Sequence, residues 1–398
     1  MSANTSEAIS ENLSPSEDFE SYLLTIRDFS QNVLRPNEEI LEETDCIPDE
    51  IVDQMREIGL FGISLPTEYG GLGLTQEQQV RLTFEFTQAS CVYRSRFSTT
   101  IGLCSQMILD YGTEEQKAEF LSRMASGEVT AAFALTERDA GSDAGGLETT
   151  AERTDDGYVI NGIKRYITNA PDAELFVVMA ITGQEANGKN EISVFLVDAD
   201  TPGATPGPRE RMMGQRGSHV SEIFFDNCRV SADRLLGHKT GNGLKMALRG
   251  INHARTHVAA TCVGQGIRLL EEAVDYASKR QQFGQPIAEF QAIQVMIGER
   301  RAELAAARAL TLEVARKFDV GPIPYIDIAC AKMYASEMLG RIADQAVQIM
   351  GGMGYMKTYP VERLCRDVRV LRIFEGTSQI HQINIAKHAL KHGIAETM

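Results

Sequence analysis

Arg372-Ile373-Phe374-Glu375-Gly376-Thr377-Ser378-Gln379-Ile380 sets one carboxylate between an aromatic residue and a glycine, inside an apolar run near the C-terminus. Burial disfavours the charged form of such a carboxylate and raises its pKa. A raised pKa suits a general base working near neutrality. Gly376 lets the backbone approach a ligand closely, Thr377 or Ser378 is placed to cap a following helix, and Gln379 brings an amide. The spacing fits equally a first-turn acid favoured by the helix dipole. On these residues alone both readings stand.

Four upstream segments bear on the choice: Phe133-Ala134-Leu135-Thr136-Glu137-Arg138-Asp139-Ala140-Gly141-Ser142-Asp143, Asn161-Gly162-Ile163-Lys164-Arg165-Tyr166-Ile167-Thr168-Asn169, Lys279-Arg280-Gln281-Gln282-Phe283-Gly284 with Phe290-Gln291, and Gln348-Ile349-Met350-Gly351-Gly352-Met353-Gly354. In this order, over nearly the whole chain, the five segments resemble the acyl-CoA dehydrogenases. The resemblance implies an FAD enzyme that converts an acyl-CoA to a trans-2-enoyl-CoA, with Glu375 removing the α-proton and the β-hydrogen leaving as hydride to flavin N5. It assigns FAD contacts to Phe133, Leu135, Thr136, Gly141, Ser142, Tyr166, Ile167, Thr168, Gln291, Gln348, Gly351, Gly352, Thr377 and Gln379. Arg280, Gln282 and Phe283 would serve the FAD of a neighbouring subunit, which implies a homo-oligomer, typically a tetramer. Ser142, Asn252, Arg255, Phe374 and Gly376 would hold the acyl-CoA. A minority branch of the family carries its base at the position of Ala254, which has no titratable group.

Three positions depart from the family pattern: Tyr166 replaces Trp, Arg138-Asp139 replaces a Pro, and Phe374 replaces Tyr. Tyr93-Arg94-Ser95-Arg96-Phe97-Ser98 resembles a run of the glutaryl-CoA dehydrogenases whose Arg holds a distal carboxylate, so Arg94 and Ser98 are substrate candidates. That branch carries an acid where this chain has Thr87, and the rival reading pairs Arg94 with a carboxylate at a domain interface.

The wider chain is compatible with such an enzyme. Its 398 residues exceed what one hydrophobic core serves. Lys and Arg number 39 against 55 Asp and Glu, a net charge of −16, which argues against nucleic-acid partners or anionic membranes. Seven scattered cysteines without a Cys-x-x-Cys pair suggest reduced thiols. His253/His257 and His388/His392 have helical spacing but no third ligand, so they read as ordinary histidines and no metal is expected. No Gly-x-Gly-x-x-Gly or Walker-type loop is present, so a dinucleotide would bind without a Rossmann or P-loop device. No targeting segment or spanning run is evident, and a cytoplasmic, bacterial-type protein is expected.

The patterning predicts an α+β protein. Residues 1–18 read as a flexible polar extension, 19–128 as an all-α domain, 129–236 as an antiparallel β-domain with a hairpin at Asp155-Asp156-Gly157, and 237–398 as a four-helix bundle. The main reading is dehydrogenation with electrons passed to an electron-transfer flavoprotein. The alternatives are an enoyl-CoA reductase or acyl-CoA oxidase on the same fold, or a non-catalytic acyl-CoA-binding protein.

Overall fold

In the first hundred residues, apolar positions three and four apart build short amphipathic helices that bury one stripe each. The computed structural model describes residues 15–322 and 324–394. Its N-terminal part comprises α1 (Pro15–Phe29), α2 (Glu38–Thr44), α3 (Asp49–Glu57), α4 (Gln76–Phe86), α5 (Val92–Thr99), α6 (Ser105–Tyr111) and α7 (Glu114–Ala125). The first helix begins at Pro15, inside the segment read as a flexible extension; the remainder of that segment lies outside the described residues. The capping box foreseen at Thr113 is present, with Thr113 accepting from the Gln116 N–H and Gln116 reaching back to the Thr113 N–H.

The middle part holds β1 (Ala131–Ala134), β2 (Thr150–Arg153), β3 (Gly157–Thr168), β4 (Leu175–Gln184), β5 (Asn190–Asp198), β6 (Ala204–Pro206) and β7 (Val220–Ser231) in one sheet. The hairpin between β2 and β3 forms as foreseen, with Thr154 N–H on the Gly157 carbonyl at 2.9 Å. The purely antiparallel expectation is corrected: β1 runs parallel to β4, Ala131 opposite Leu175, and β2 bridges β4 in the same sense. Residue alternation reports which face a strand buries and carries no information about the direction of its neighbour. Pro206 lies in β6 at the end of the strand order, where its missing N–H costs no ladder bond.

The C-terminal part is formed by α8 (Gly243–Lys279), α9 (Gln291–Val320), α10 (Tyr325–Met350), α11 (Val361–Val368) and α12 (Ser378–His392). The eight-residue α11 was not foreseen; its single apolar face, Val361, Leu364 and Val368, closes the bundle core. Helix α8 is apolar on most of its circumference because α4, α9 and α10 all pack on it. Val80 and Phe84 of α4 join the bundle core, and a second core links α6 and α7 to one face of the sheet. The three parts therefore share apolar walls, and the clefts between them have rigid sides.

A strap ahead of β7 ties the parts together. His219 donates to Asp172 at 2.5 Å and to the Asp45 carbonyl at 2.8 Å. The hydrogen bond it donates to Asp172 raises His219 above its ordinary pKa, and the same bond holds Asp172 below its own. A raised histidine stabilises the fold below its unfolded pKa and loses that contribution as pH rises through its folded value. A depressed carboxylate stabilises above its unfolded pKa and loses that as pH falls through its folded value. The pair is strongest between those limits, so His219→Ala is expected to lower the melting temperature more at about pH 5.5 than at about pH 8.5. Equal losses at both pH values, followed by circular dichroism, would contradict the pairing.

Candidate active site

After α11 the chain tightens. The N–H groups of Ile373 and Phe374 both donate to the Val370 carbonyl, at 2.8 and 3.1 Å. Two left-handed residues follow, Glu375 at φ 54° and Gly376 at φ 93°. A left-handed glutamate is disfavoured and persists only where the surroundings over-determine it. Thr377 then caps α12, its hydroxyl accepting from the Ile380 N–H at 3.3 Å. The Glu375 carbonyl accepts from Arg255 Nε at 2.8 Å and the Gly376 carbonyl from Lys332 Nζ at 2.7 Å. Among the described residues, no protein acceptor meets the N–H groups of Glu375, Gly376 or Thr377. The turn thus combines a half-buried carboxylate with unpaired backbone donors, the two elements needed to take a proton and hold a developing oxyanion.

Burial pushes Glu375 above the usual carboxylate range, while Arg255, Lys332 and Arg94 pull it back. Arg255 also donates to Asn252 Oδ1 at 2.8 Å, so the predicted pair Asn252 and Arg255 stands directly behind the turn. Arg94 arrives from α5, with Ser98 one turn further on. Burial lowers the Arg94 pKa to about 10, against which Cys91 and Glu375 act. Among the described residues no carboxylate lies within ion-pair distance of Arg94, and its only ring neighbour is Phe97 at 6.0 Å. The interface carboxylate of the rival reading does exist, in Glu38, but its partners are Arg363 at 2.6 Å and Arg268 at 3.8 Å.

A further set of predicted ligand residues comes from β1 and β3. Thr136 accepts from the Arg165 N–H at 2.8 Å, and Lys164 Nζ donates to the Leu135 carbonyl at 3.2 Å and to Glu137 at 2.7 Å. A register shift between Lys164 and Ile167 sets Tyr166 at φ 57° and leaves its ring 59% exposed, with Arg165 stacked on it at 4.9 Å. An exposed aromatic held at a bulge is a platform for a flat ligand. The side chain of Ile167 lies in the sheet core, with the residue 2% exposed, so any contact with a ligand would fall to its main chain. Leu135 is likewise in a core. Thr136 and Thr168 are half-buried, and Gly141 and Ser142 are exposed at the loop mouth.

A second group lies elsewhere on the C-terminal part. Arg280, Gln282, Phe283, Gly351 and Gly352 line a groove of about 520 Å³ with Tyr276 and Phe290. Phe283 is 94% exposed and meets Phe290 edge to face at 6.0 Å. Gln348 lines a neighbouring hollow with Arg300 and Arg341, while Gln291 and Gln379 are exposed. The groove does not include Glu375, so within one chain the predicted ligand residues form two separate groups.

Sequence reasoning missed Lys332 and His381, whereas His253 is the ordinary core histidine it was read as. Lys332 is a lysine among Ile328, Ala329, Ala331, Ala335 and Met338 on the buried face of α10, and that misplaced charge was its signal. His381 is fully buried beside Gly376. His253 is a buried core histidine whose ring lies 4.9 Å from that of His257 and whose Nδ1 has no partner among the described residues.

Models of the acyl-CoA dehydrogenase N-terminal, middle and C-terminal domains match residues 16–128, 132–228 and 241–390. The chain belongs to the acyl-CoA dehydrogenase family. It is 40% identical over 365 residues to an acyl-CoA dehydrogenase of Bacillus subtilis, covering 92% of this chain and 96% of that protein. It is also 40% identical, with the same coverage, to a 3-(aryl)acrylate reductase of Clostridium sporogenes. A glutaryl-CoA dehydrogenase solved with glutaryl-CoA superposes with a TM-score of 0.90 at 32% identity, covering 96% of this chain and 97% of that one. Like the rest of this FAD-dependent family, the protein is an oxidoreductase acting on CH–CH groups. The exposed rings of Tyr166 and Phe283 fit the flat rings of FAD. Among the described residues no helix is long and apolar enough to cross a membrane.

Proposed function

We propose that the protein desaturates an acyl-CoA between its α and β carbons, with Glu375 as the base. The reading rests on the left-handed turn, which offers a carboxylate and unpaired N–H groups to the same place. The α-proton of a thioester is too weakly acidic for an ordinary carboxylate. The N–H of Glu375 answers this by donating to the thioester oxygen as charge develops there. Entry of the acyl chain expels water, which raises the basicity of Glu375 further. Bound FAD would supply the hydride acceptor for the β-hydrogen, at its N5. Thr136 and Tyr166 would hold and cover its ring, and Arg280 and Phe283 would serve the cofactor of a second subunit in a homotetramer. Electrons then leave to an electron-transfer flavoprotein in the cytoplasm.

Arg94 supports a narrower substrate class. A half-buried guanidinium facing the base without a carboxylate of its own is costly unless a ligand brings the anion. An acyl-CoA with an acid group at its far end supplies one. The test mixes the purified yellow protein with glutaryl-CoA and with butyryl- to octanoyl-CoA in a stopped-flow instrument and follows flavin bleaching. Glutaryl-CoA is expected to react fastest, and Arg94→Ala to lower its kcat/KM about a hundredfold while leaving butyryl-CoA within about threefold. A glutaryl-CoA preference unchanged in that variant would remove the anchor. Enoyl-CoA oxidising the reduced enzyme faster than acyl-CoA reduces the oxidised one would favour the reductase direction.

A further inference from the structure

Lys332 is a fully buried cation with no carboxylate at ion-pair distance among the described residues. Its one acceptor is the Gly376 carbonyl, 2.7 Å away. Glu337, one turn further on, is occupied by Arg372 at 3.1 Å and Ser378 at 2.5 Å. A core position on α10 would ordinarily take an aliphatic residue, since burying an unpaired ammonium opposes folding. The charge is aimed at the turn that carries Glu375, together with Arg255 from α8, which holds the preceding carbonyl at 2.8 Å.

The peptide group makes this geometry consequential. In a trans peptide the C=O and the following N–H point in opposite directions. Pinning the Glu375 and Gly376 carbonyls toward α8 and α10 therefore turns the N–H groups of Gly376 and Thr377 the other way, and neither meets a protein acceptor. The space beneath is full: a Cβ on Gly376 would come 3.1 Å from His381 Nε2 and 3.2 Å from Arg255 Nη2. His381 is itself buried against the backbone of Glu375 and Gly376, and burial drives its pKa down to about 3, so it packs there as a neutral wedge.

We propose that Lys332 is a positioning residue for the reaction, one half of a two-cation clamp with Arg255 that locks the left-handed turn and so aims the Glu375 carboxylate at the substrate. This rests on Glu375 being the base. The groups facing Lys332 are Cys262 and Arg255 on α8, Glu375 in the turn, Glu337 on α10 and His381 on α12. Burial lowers the Lys332 pKa to about 8, with Cys262 and Glu375 opposing that shift. The native state thus gives up this proton at lower pH than the unfolded chain does. Between those two values stability rises with pH, and below them the charge is carried at a cost to the fold. A lysine kept for stability alone would show the reverse balance.

The experiment uses the FAD-loaded enzyme with Lys332→Met and Lys332→Gln. Three quantities are measured from pH 6 to 10: melting temperature, the dissociation constant of an enoyl-CoA product, and the rate of flavin reduction by acyl-CoA. In Lys332→Met the reduction rate is expected to fall about a hundredfold, the cost of a base misplaced by about 1 Å. Product affinity should stay within about threefold and the melting temperature should not drop. The acid limb of the rate profile should move to higher pH, because a cation that favoured the Glu375 carboxylate has gone. The alkaline decline of the wild type should vanish in both variants, with Lys332→Gln, which keeps a neutral donor, losing less rate than Lys332→Met. Wild-type rates and profile in Lys332→Met would overturn the clamp, as would a rate loss matched by a lower melting temperature and an unshifted acid limb. Glu375→Gln serves as the control: bleaching at the wild-type rate in that variant would reject the base assignment itself, independently of the clamp.

Discussion

Glu375→Gln is expected to lower flavin reduction by acyl-CoA about ten-thousandfold, while FAD content and acyl-CoA affinity stay within a few-fold. The amide is isosteric with the carboxylate, so the turn keeps both carbonyl contacts, to Arg255 at 2.8 Å and Lys332 at 2.7 Å. The backbone donors also remain. Only the proton acceptor is lost, and Ala254 offers no substitute at the alternative position used by a minority of the family. Because burial raises the Glu375 pKa, the wild-type rate should increase as pH rises through that value, and Glu375→Gln should show no such limb. Stopped-flow bleaching across pH reads both. Wild-type bleaching in the variant would reject Glu375 as the base.

Lys164→Met is expected to destabilise the protein by about 3–5 kcal/mol and to strip it of FAD. Lys164 is fully buried and pairs with Glu137, itself only 7% exposed, at 2.7 Å. Burial works against the Glu137 carboxylate. Lys164 and the N–H groups of Glu148 and Thr149, at 2.5 and 3.0 Å, outweigh it and hold Glu137 below its ordinary range. Removing the lysine leaves a buried carboxylate without its counter-charge, which is the costly way to break such a pair. It also removes the donor to the Leu135 carbonyl, so the β1 exit that presents Thr136 loses its strut. Combining Lys164→Met with Glu137→Gln removes both charges and should recover more than half of the lost stability. Urea denaturation with a flavin absorbance assay measures both effects. Full FAD retention in Lys164→Met would show that the pair does not support the flavin wall.

Much of this was legible in the chain because it was written in short-range signals. Apolar spacing of three and four marked α8, α9, α10 and α12 to within a few residues, apart from the start of α9, and the Thr113 box marked the start of α7. Asp155-Asp156-Gly157 marked the hairpin by its turn chemistry. The five motif segments placed the chain in its family, and Arg255, Asn252 and Arg94 do gather around the Glu375 turn.

What only the tertiary structure decided depends on residues that meet from far apart. The parallel pairing of β1 with β4 follows from a crossover through β2 and β3, which no local pattern encodes. That Ile167 rather than Tyr166 turns inward is decided by which face of β3 packs into the sheet core, and alternation alone does not name the buried face. Lys332 acquires its meaning only when α10 packs beside α8 and brings its ammonium to the Gly376 carbonyl. Periodicity and capping are settled within a turn or two of chain, whereas strand direction, bulge register and the convergence of buried charges are settled by packing between segments.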